Sequence, residues 1–275
     1  MHCEGVGIGL RPPHFSHILE YKPSVPWFEV HSCNYLNQSR GRKLLTRVRA
    51  DYPLRFHGVS LDLGGVDPIS NDYLQRLKMA SVELEPSLIS DHACCVLFNG
   101  EYAHDLLPIP YSPEAIKNMV SRIHFVQDFL GCRIAIENIS RYVHVNAGQP
   151  LAMPEGEFLA EVAQAADCLL VLDLNNAYVN SVNLQEDPLQ FIRSLPFERI
   201  CEIHLAGFEY SNGMAIDTHN QLISKEVFEL YRYACEHLPS VPALIEWDSH
   251  LPDFSVLESE RNKAQVIFNG EGGYA

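Results

Sequence analysis

LLVLDLNN, residues 169–176, is an unbroken apolar run that turns polar only at its far end, at Asp173 and again at Asn175 and Asn176. A strand packed on one face alternates apolar and polar residues; continuous apolarity is what a strand covered on both faces requires. Seven other short, β-rich runs resemble it: GVGIGLR (5–11), WFEVHS (27–32), LRFHGVS (54–60), LISDHA (88–93), RIAIENI (133–139), ICEIHLAG (200–207) and ALIEWD (243–248). Between them the spacing changes to that of helices. YSPEAIKNMVSRIHFVQDFL (111–130) sets its apolar residues three and four apart behind Ser112, a good N-cap, with Pro113 in the first turn and Glu114 close behind. DYLQRLKMASVEL (72–84), EGEFLAEVAQAA (155–166) and SKEVFELYRYACEHL (224–238) read the same way. Strand and helix alternating through eight units imply right-handed crossovers and a parallel sheet that closes on itself. The predicted fold is therefore α/β, a single (β/α)8 TIM barrel.

A chain of 275 residues suits one such domain, taken as 1–275 with its core at about 5–260. After Arg261 the stretch NKAQVIFNGEGGYA loses helical pattern and ends in glycines, so 261–275 is expected to be a tail. Hydrophobic residues make up 47% and charged residues 20%, far from the composition of disorder. The net charge of −15 repels phosphate backbones, and no nucleic acid is expected as a partner. GVGIGL lacks the third glycine and the following helix of a dinucleotide fingerprint. There is no long apolar run or signal peptide, hence no membrane partner, and the eight cysteines form no CxxC pair. These features suggest a cytoplasmic protein with reduced thiols. Cys132, Cys168 and Cys201 stand at or beside the starts of apolar runs and read as small buried hydrophobes. Cys33, Cys94 and Cys95 lie just past strand ends, where structural and functional roles are both open.

In a (β/α)8 barrel the active site forms at the C-terminal ends of the strands, and this sequence fills those ends with polar side chains. They are His57, His92, Glu137, Asp173 followed by Asn176, His204 and Glu246; the run IDTH adds Asp217 and His219, two apart and able to point the same way if extended. Taken singly, a histidine after an apolar run is more often a packed core residue than a ligand. Four imidazoles, four carboxylates and an amide on one rim are different, because burying them without a cation would be strongly destabilising. Mixed nitrogen and oxygen donors without thiolate suit zinc, iron or manganese, and bridging carboxylates hold two ions about 3.5 to 4 Å apart.

The motifs RFHGVS, SDHACC, HDLLPIPYS, AIENIS, LDLNNAYVNS, EIHLAG, IDTH and LIEWD, preceded by GIGLRPPHF and WFEVHSCNYL, resemble in order those of the multinuclear non-heme iron-dependent oxidative enzymes. That group includes the methanobactin-biosynthesis oxygenase and the enzyme of the 3-thiaglutamate peptide pathway. The similarity spans about residues 5 to 258. It implies a barrel of the xylose-isomerase and endonuclease-IV type holding two or three irons in a mixed Fe(II)/Fe(III) state. Carried over residue by residue, His57, His92 and a bridging Glu137 would hold one ion. Asp173, His204, Glu246 and the same Glu137 would hold a second. Asn176, Asp217 and His219 would hold a third, with Asn175 a neighbour able to exchange roles with Asn176. The sequence departs from many relatives at HSCNY (31–35), where a Pro-Glu pair is replaced and Cys33 falls near the pocket mouth.

The resemblance further implies O2 as co-substrate and oxidation of a cysteine in a ribosomally made precursor peptide, with Glu137 and Asp248 as catalytic candidates. Asp248, beside Glu246, reads as an orienting group, a proton acceptor or a plain rim ion pair. Many relatives act with a small leader-binding partner protein, and one is expected here. The alternative is a zinc- or manganese-dependent hydrolase or isomerase of the endonuclease-IV/xylose-isomerase type, which metal analysis and O2 consumption would distinguish. A non-catalytic scaffold with a degenerate site is disfavoured, since no carried-over ligand position is lost.

Overall fold

Each of the eight apolar runs becomes a strand. In the computed structural model, which describes residues 4–145, 153–238 and 240–271, the strands in chain order are β1 (Val6–Gly9), β2 (Phe28–His31), β3 (Leu54–His57), β4 (Ile89–His92), β5 (Cys95–Phe98), β6 (Glu101–Leu107), β7 (Ala135–Glu137), β8 (Leu169–Asp173), β9 (Ile200–Leu205), β10 (Glu209–Ser211), β11 (Met214–Ile216) and β12 (Ala243–Ile245). Eight of these close a barrel in the order β1-β2-β3-β4-β7-β8-β9-β12, with every neighbouring pair parallel. The (β/α)8 architecture read from the sequence is the one observed.

The outer ring is built from α1 (Phe15–Tyr21), α2 (Arg40–Asp51), α3 (Asn71–Leu84), α4 (Pro113–Leu130), α5 (Glu155–Ala165), α6 (Leu174–Leu184), α7 (Pro188–Ser194), α8 (Lys225–His237) and α9 (Phe254–Phe268). Their starts follow from local chemistry. Ser112 Oγ accepts from Ala115 N at 3.3 Å, and Ser70 and Ser224 cap α3 and α8 likewise, each satisfying an N–H that has no partner within its helix. Helix α4 stops where Gly131 takes φ 80°. Their buried stripes, such as Ile116, Met119, Ile123 and Val126 of α4, pack on the outer face of the strands.

Two antiparallel hairpins, β5–β6 and β10–β11, interrupt the repeat after β4 and β9, and no sequence expectation covered them. The signal was present in both. Asn99-Gly100 and Asn212-Gly213 sit at the turns with positive φ at both residues, the backbone a two-residue hairpin turn demands. In β5–β6 the register shifts: Leu97 pairs with Tyr102 but Cys95 pairs with Leu107, so residues 103–106 bulge out of the ladder.

Two expectations are corrected. The chain past Arg261 is no tail: α9 continues to Phe268, burying Ala264 and Ile267, and Gln265 Oε1 accepts from Val6 N at 3.0 Å, tying the helix to the first strand. Apolar spacing continues through Phe254, Leu257, Ala264 and Ile267, and polar residues between them hid it; residues 272–275 lie outside those described. Cys132 is exposed rather than buried because it follows Gly131 in the turn that ends α4; Cys168 is buried and Cys201 partly so.

Candidate metal centre

The geometry begins with two imidazoles whose tautomers are fixed from behind. Ser90 Oγ donates to Phe56 O at 3.3 Å, leaving a lone pair that accepts from His57 Nδ1 at 2.8 Å. His92 Nδ1 lies 3.0 Å from the carbonyl of Gly58 and can only donate to it. Each ring therefore presents a bare Nε2, and the two Nε2 atoms face each other at 3.2 Å. Glu137 Oε2 joins them, 3.1 Å from His57 Nε2 and 3.6 Å from His92 Nε2. Three acceptors converge on one point with no donor among them. Burial, and then His92, hold the His57 imidazole well below its ordinary pKa, so a proton is a poor remedy. A cation at that point satisfies all three.

The other oxygen of Glu137 faces a second group. Oε1 is 3.4 Å from His204 Nδ1, which is 3.2 Å from Glu246 Oε2, and ligand atoms of Glu137, Asp173, His204 and Glu246 all lie within 4.8 Å of one another. Asp173 reaches this place as the N-cap of α6, its Oδ1 accepting from Asn176 N at 2.6 Å. Its Oδ2 is buried without a hydrogen bond, as is Asn176 Oδ1, whose amide nitrogen is spent on the carbonyl of Asn138 at 3.0 Å. Burial, reinforced by Glu137, raises Asp173 well above the usual carboxylate range. Burial also pushes Glu246 upward, but His219 and His204 more than offset it and hold this carboxyl well below.

Asp217 and His219 meet at 2.7 Å, though not by an extended chain. His219 has φ 45°, a left-handed backbone that costs about 1 to 3 kcal/mol in a non-glycine residue and recurs at functional sites. Its carbonyl accepts from Asp248 N at 2.7 Å, which holds that turn against the end of β12. Asn175, rather than Asn176, donates to Asp217, at 2.6 Å. Asn176, Asp217 and His219 nevertheless line one cavity of about 370 Å³, together with His57, His92, Glu246 and Asp248. The bulge of β6 supplies another wall through Asp105 and Leu106, with Leu107 beside them. Among the three cysteines past strand ends, none lines this cavity; Cys94 is buried beneath the β5–β6 hairpin.

Several participants were missed from sequence. Arg11, buried, contacts Asp248 Oδ1 at 2.5 Å and Glu246 Oε1 at 3.4 Å, and its other neighbour is His31 Nε2 at 3.1 Å. Asp248 is thereby clamped: its second oxygen lies 3.3 Å from His219. Ser90 and Asn138 hold the ligands rather than offering one, so residue type at a strand end does not reveal them. The usable signal was spacing, since Ser90 precedes His92 by two on one strand and so shares its face.

The architecture and the site together define a class: parallel TIM barrels that gather imidazoles and carboxylates, without thiolate, at the C-terminal mouth. Within it, the chain belongs to the family of RiPP (ribosomally made, post-translationally modified peptide) precursor modification enzymes MbnB/TglH/ChrH, whose model matches residues 5–269. A UPF0276 protein of Acaryochloris marina is 44% identical over 263 residues, covering 96% of this chain and 94% of that one. Among solved structures, a xylose isomerase domain containing protein from Salmonella typhimurium superposes with a TM-score of 0.64 at 11% identity, covering 98% of this chain and 99% of its own. Endonuclease IV from Thermus thermophilus superposes with a TM-score of 0.59 at 15% identity, covering 98% of each chain. At such identities these structures speak for the fold alone. No helix among the described residues is long and apolar enough to cross a membrane.

Proposed function

We propose that this protein is an iron-dependent, O2-using oxidase or oxygenase that modifies a cysteine residue of a ribosomally synthesised precursor peptide, delivered by a separate leader-binding partner protein in the reducing cytoplasm. The observation that carries the metal part is the facing pair of bare imidazole nitrogens, with the two oxygens of Glu137 shared between that pair and the His204 group. In this reading His57, His92 and Glu137 hold one ion, and Glu137, Asp173, His204 and Glu246 a second. Asn176, Asp217 and His219 offer a third, lighter set. Iron so held would supply one-electron redox chemistry and an open position for O2.

The protein's own part is to position and to exclude. Glu137 keeps the two ligand groups at a fixed separation. The cavity admits a side chain, and Leu106, Leu107 and Val143 give its mouth an apolar rim against which a bound peptide would pack. A thiolate is a strong soft ligand, which is why a cysteine and not a serine is the residue expected to dock there. Asp248 is engaged on both oxygens by Arg11 and His219, an arrangement that favours an orienting role over that of a mobile base.

The test is a pair of assays on purified protein with a cysteine-containing peptide encoded beside it, one in air and one without oxidant, together with metal analysis. Product formed only with O2, lost on Cys→Ser in the peptide, and two or more irons per chain are the expected results. Product formed anaerobically by a zinc-loaded chain would instead establish the hydrolase or isomerase reading, since a metal-bound hydroxide needs neither O2 nor a thiol.

A further inference from the structure

Residues two apart on a strand point to the same face. Glu29, Arg55 and Glu202 precede His31, His57 and His204 by two, so they form a tier inside the barrel beneath the ligands. Register confirms the layering: Glu29 pairs with Arg55 and His31 with His57 across β2 and β3. Barrel interiors are ordinarily filled by branched apolar side chains. The far side of this tier obeys that rule with Ala135 and Val171, but the near side buries two carboxylates and a guanidinium. Arg55 Nη1 lies 2.8 Å from Glu202 Oε2, and the guanidinium stacks 4.5 Å over Trp27. The indole occupies space that only a glycine at position 7 leaves, since a Cβ there would lie 2.5 Å from the ring. His204 stands between the tiers. Nδ1 faces up to Glu137 and Glu246, whereas Nε2 faces down, 3.5 Å from Glu29 Oε1 and 3.7 Å from Glu202 Oε1.

We propose that the Arg55–Glu202 ion pair, with Glu29 beside it, is a positioning device for His204: the carboxylates receive the Nε2 hydrogen, and the Nδ1 lone pair is thereby kept aimed at the metal centre. The inference rests on the metal-binding reading above. A ligating imidazole must offer one bare nitrogen, so its other nitrogen carries hydrogen and needs an acceptor. His204 is wholly buried and its Nε2 makes no hydrogen bond in the metal-free fold, but the two carboxylates stand 3.5 and 3.7 Å from it, close enough that a small shift of the ring on binding an ion brings one of them into hydrogen-bond reach. His57 and His92 use a neutral hydroxyl and a neutral carbonyl for the same purpose, whereas His204, like His219 beside Asp217, is backed by carboxylate, which makes an imidazole a stronger donor to a metal. Arg55 neutralises one of the two, which lets the pair persist in the barrel interior. Stability is a poor explanation for such a tier, because apolar residues of similar volume commonly replace a buried ion pair at no loss.

That last point supplies the experiment. The double variant Arg55→Met/Glu202→Leu removes both charges together and keeps the volume. Metal-free parent and variant are titrated with ferrous iron under anaerobic conditions, and thermal unfolding is recorded for both. The variant is expected to unfold near the parent's temperature, to bind the His57/His92 ion as the parent does, and to bind the His204 ion about 10- to 100-fold more weakly. A folded variant with the parent's isotherm for both ions overturns the inference and leaves the metal reading standing; a parent that binds no ion overturns both. A second measurement needs no variant: in the zinc-loaded parent, histidine nitrogen-15 spectra should place the proton of His204 on Nε2, and a proton on Nδ1 would sink the proposal.

Discussion

At the scale of single residues, the centre turns on where hydrogens cannot be. His57 and His92 are each obliged to donate from Nδ1, so their inner nitrogens are acceptors by elimination, and Glu137 adds a third acceptor between them. Glu137→Gln tests this directly. The amide retains size but replaces one acceptor oxygen with a donor and cannot bridge two cations. We expect loss of at least one metal equivalent per chain and a fall in turnover of roughly 100-fold or more, with the unfolding temperature of the metal-free protein little changed; full metal content with parent-like turnover would remove Glu137 from the bridge. His57, His92, Glu137, Asp173, His204 and Glu246 stood out as candidates because polar type and position at or beside a strand end agreed, whereas Asn176 lies in α6 and Asp217 and His219 in the loop after β11. Arg11, Ser90, Asn138, Glu29 and Glu202 did not: Ser90, Glu29 and Glu202 show only as residues two before a histidine of the same strand, and Arg11 and Asn138 stand just past strand ends without the residue type of a common metal ligand.

At the scale of elements, continuous apolar runs announced the eight barrel strands, and Ser112 followed by Pro113 announced α4, the longest helix among the described residues. The hairpins went unread although both carry Asn-Gly at the turn, since neither flanking segment shows the alternation that usually accompanies that pair. Helix α9 was cut short in the reading because Glu258, Glu260, Arg261, Asn262 and Lys263 interrupt its apolar positions. Its last two turns nonetheless bury Ala264 and Ile267 and bond to Val6 through Gln265. A chain ending at Arg261 should therefore be destabilised by about 3 to 6 kcal/mol, from lost core burial and one lost hydrogen bond, read as a lower urea midpoint at unchanged slope. An unaltered midpoint would show that the final turns are dispensable.

At the scale of the whole molecule, a closed parallel barrel is what brings residues as distant in sequence as His57 and Glu246 to one mouth, and the same closure buries their charge. The metal-free fold must tolerate that burial; ions relieve it. Binding that favours only the folded state, at a free metal concentration near a thousand times the dissociation constant, adds about 4 kcal/mol, or roughly 10 °C in unfolding temperature for a chain of this length. Protons compete for the same lone pairs, so the gap between loaded and metal-free protein should narrow as pH falls from about 8 towards about 5. Calorimetry with and without a chelator across that range measures it, and a gap independent of pH would mean that the ions are not held by imidazole.

The bulge in β6 has a consequence in time. By pressing Asp105 and Leu106 into the mouth beside Leu107, it leaves a chamber of about 370 Å³. A chamber of that size has room for one side chain with a short stretch of extended backbone, which a linear peptide offers more readily than one knotted by crosslinks or folded on itself. Whatever shape the finished product takes, under the proposed function this enzyme is expected to work early, on a still-linear chain, with the steps that compact its substrate following.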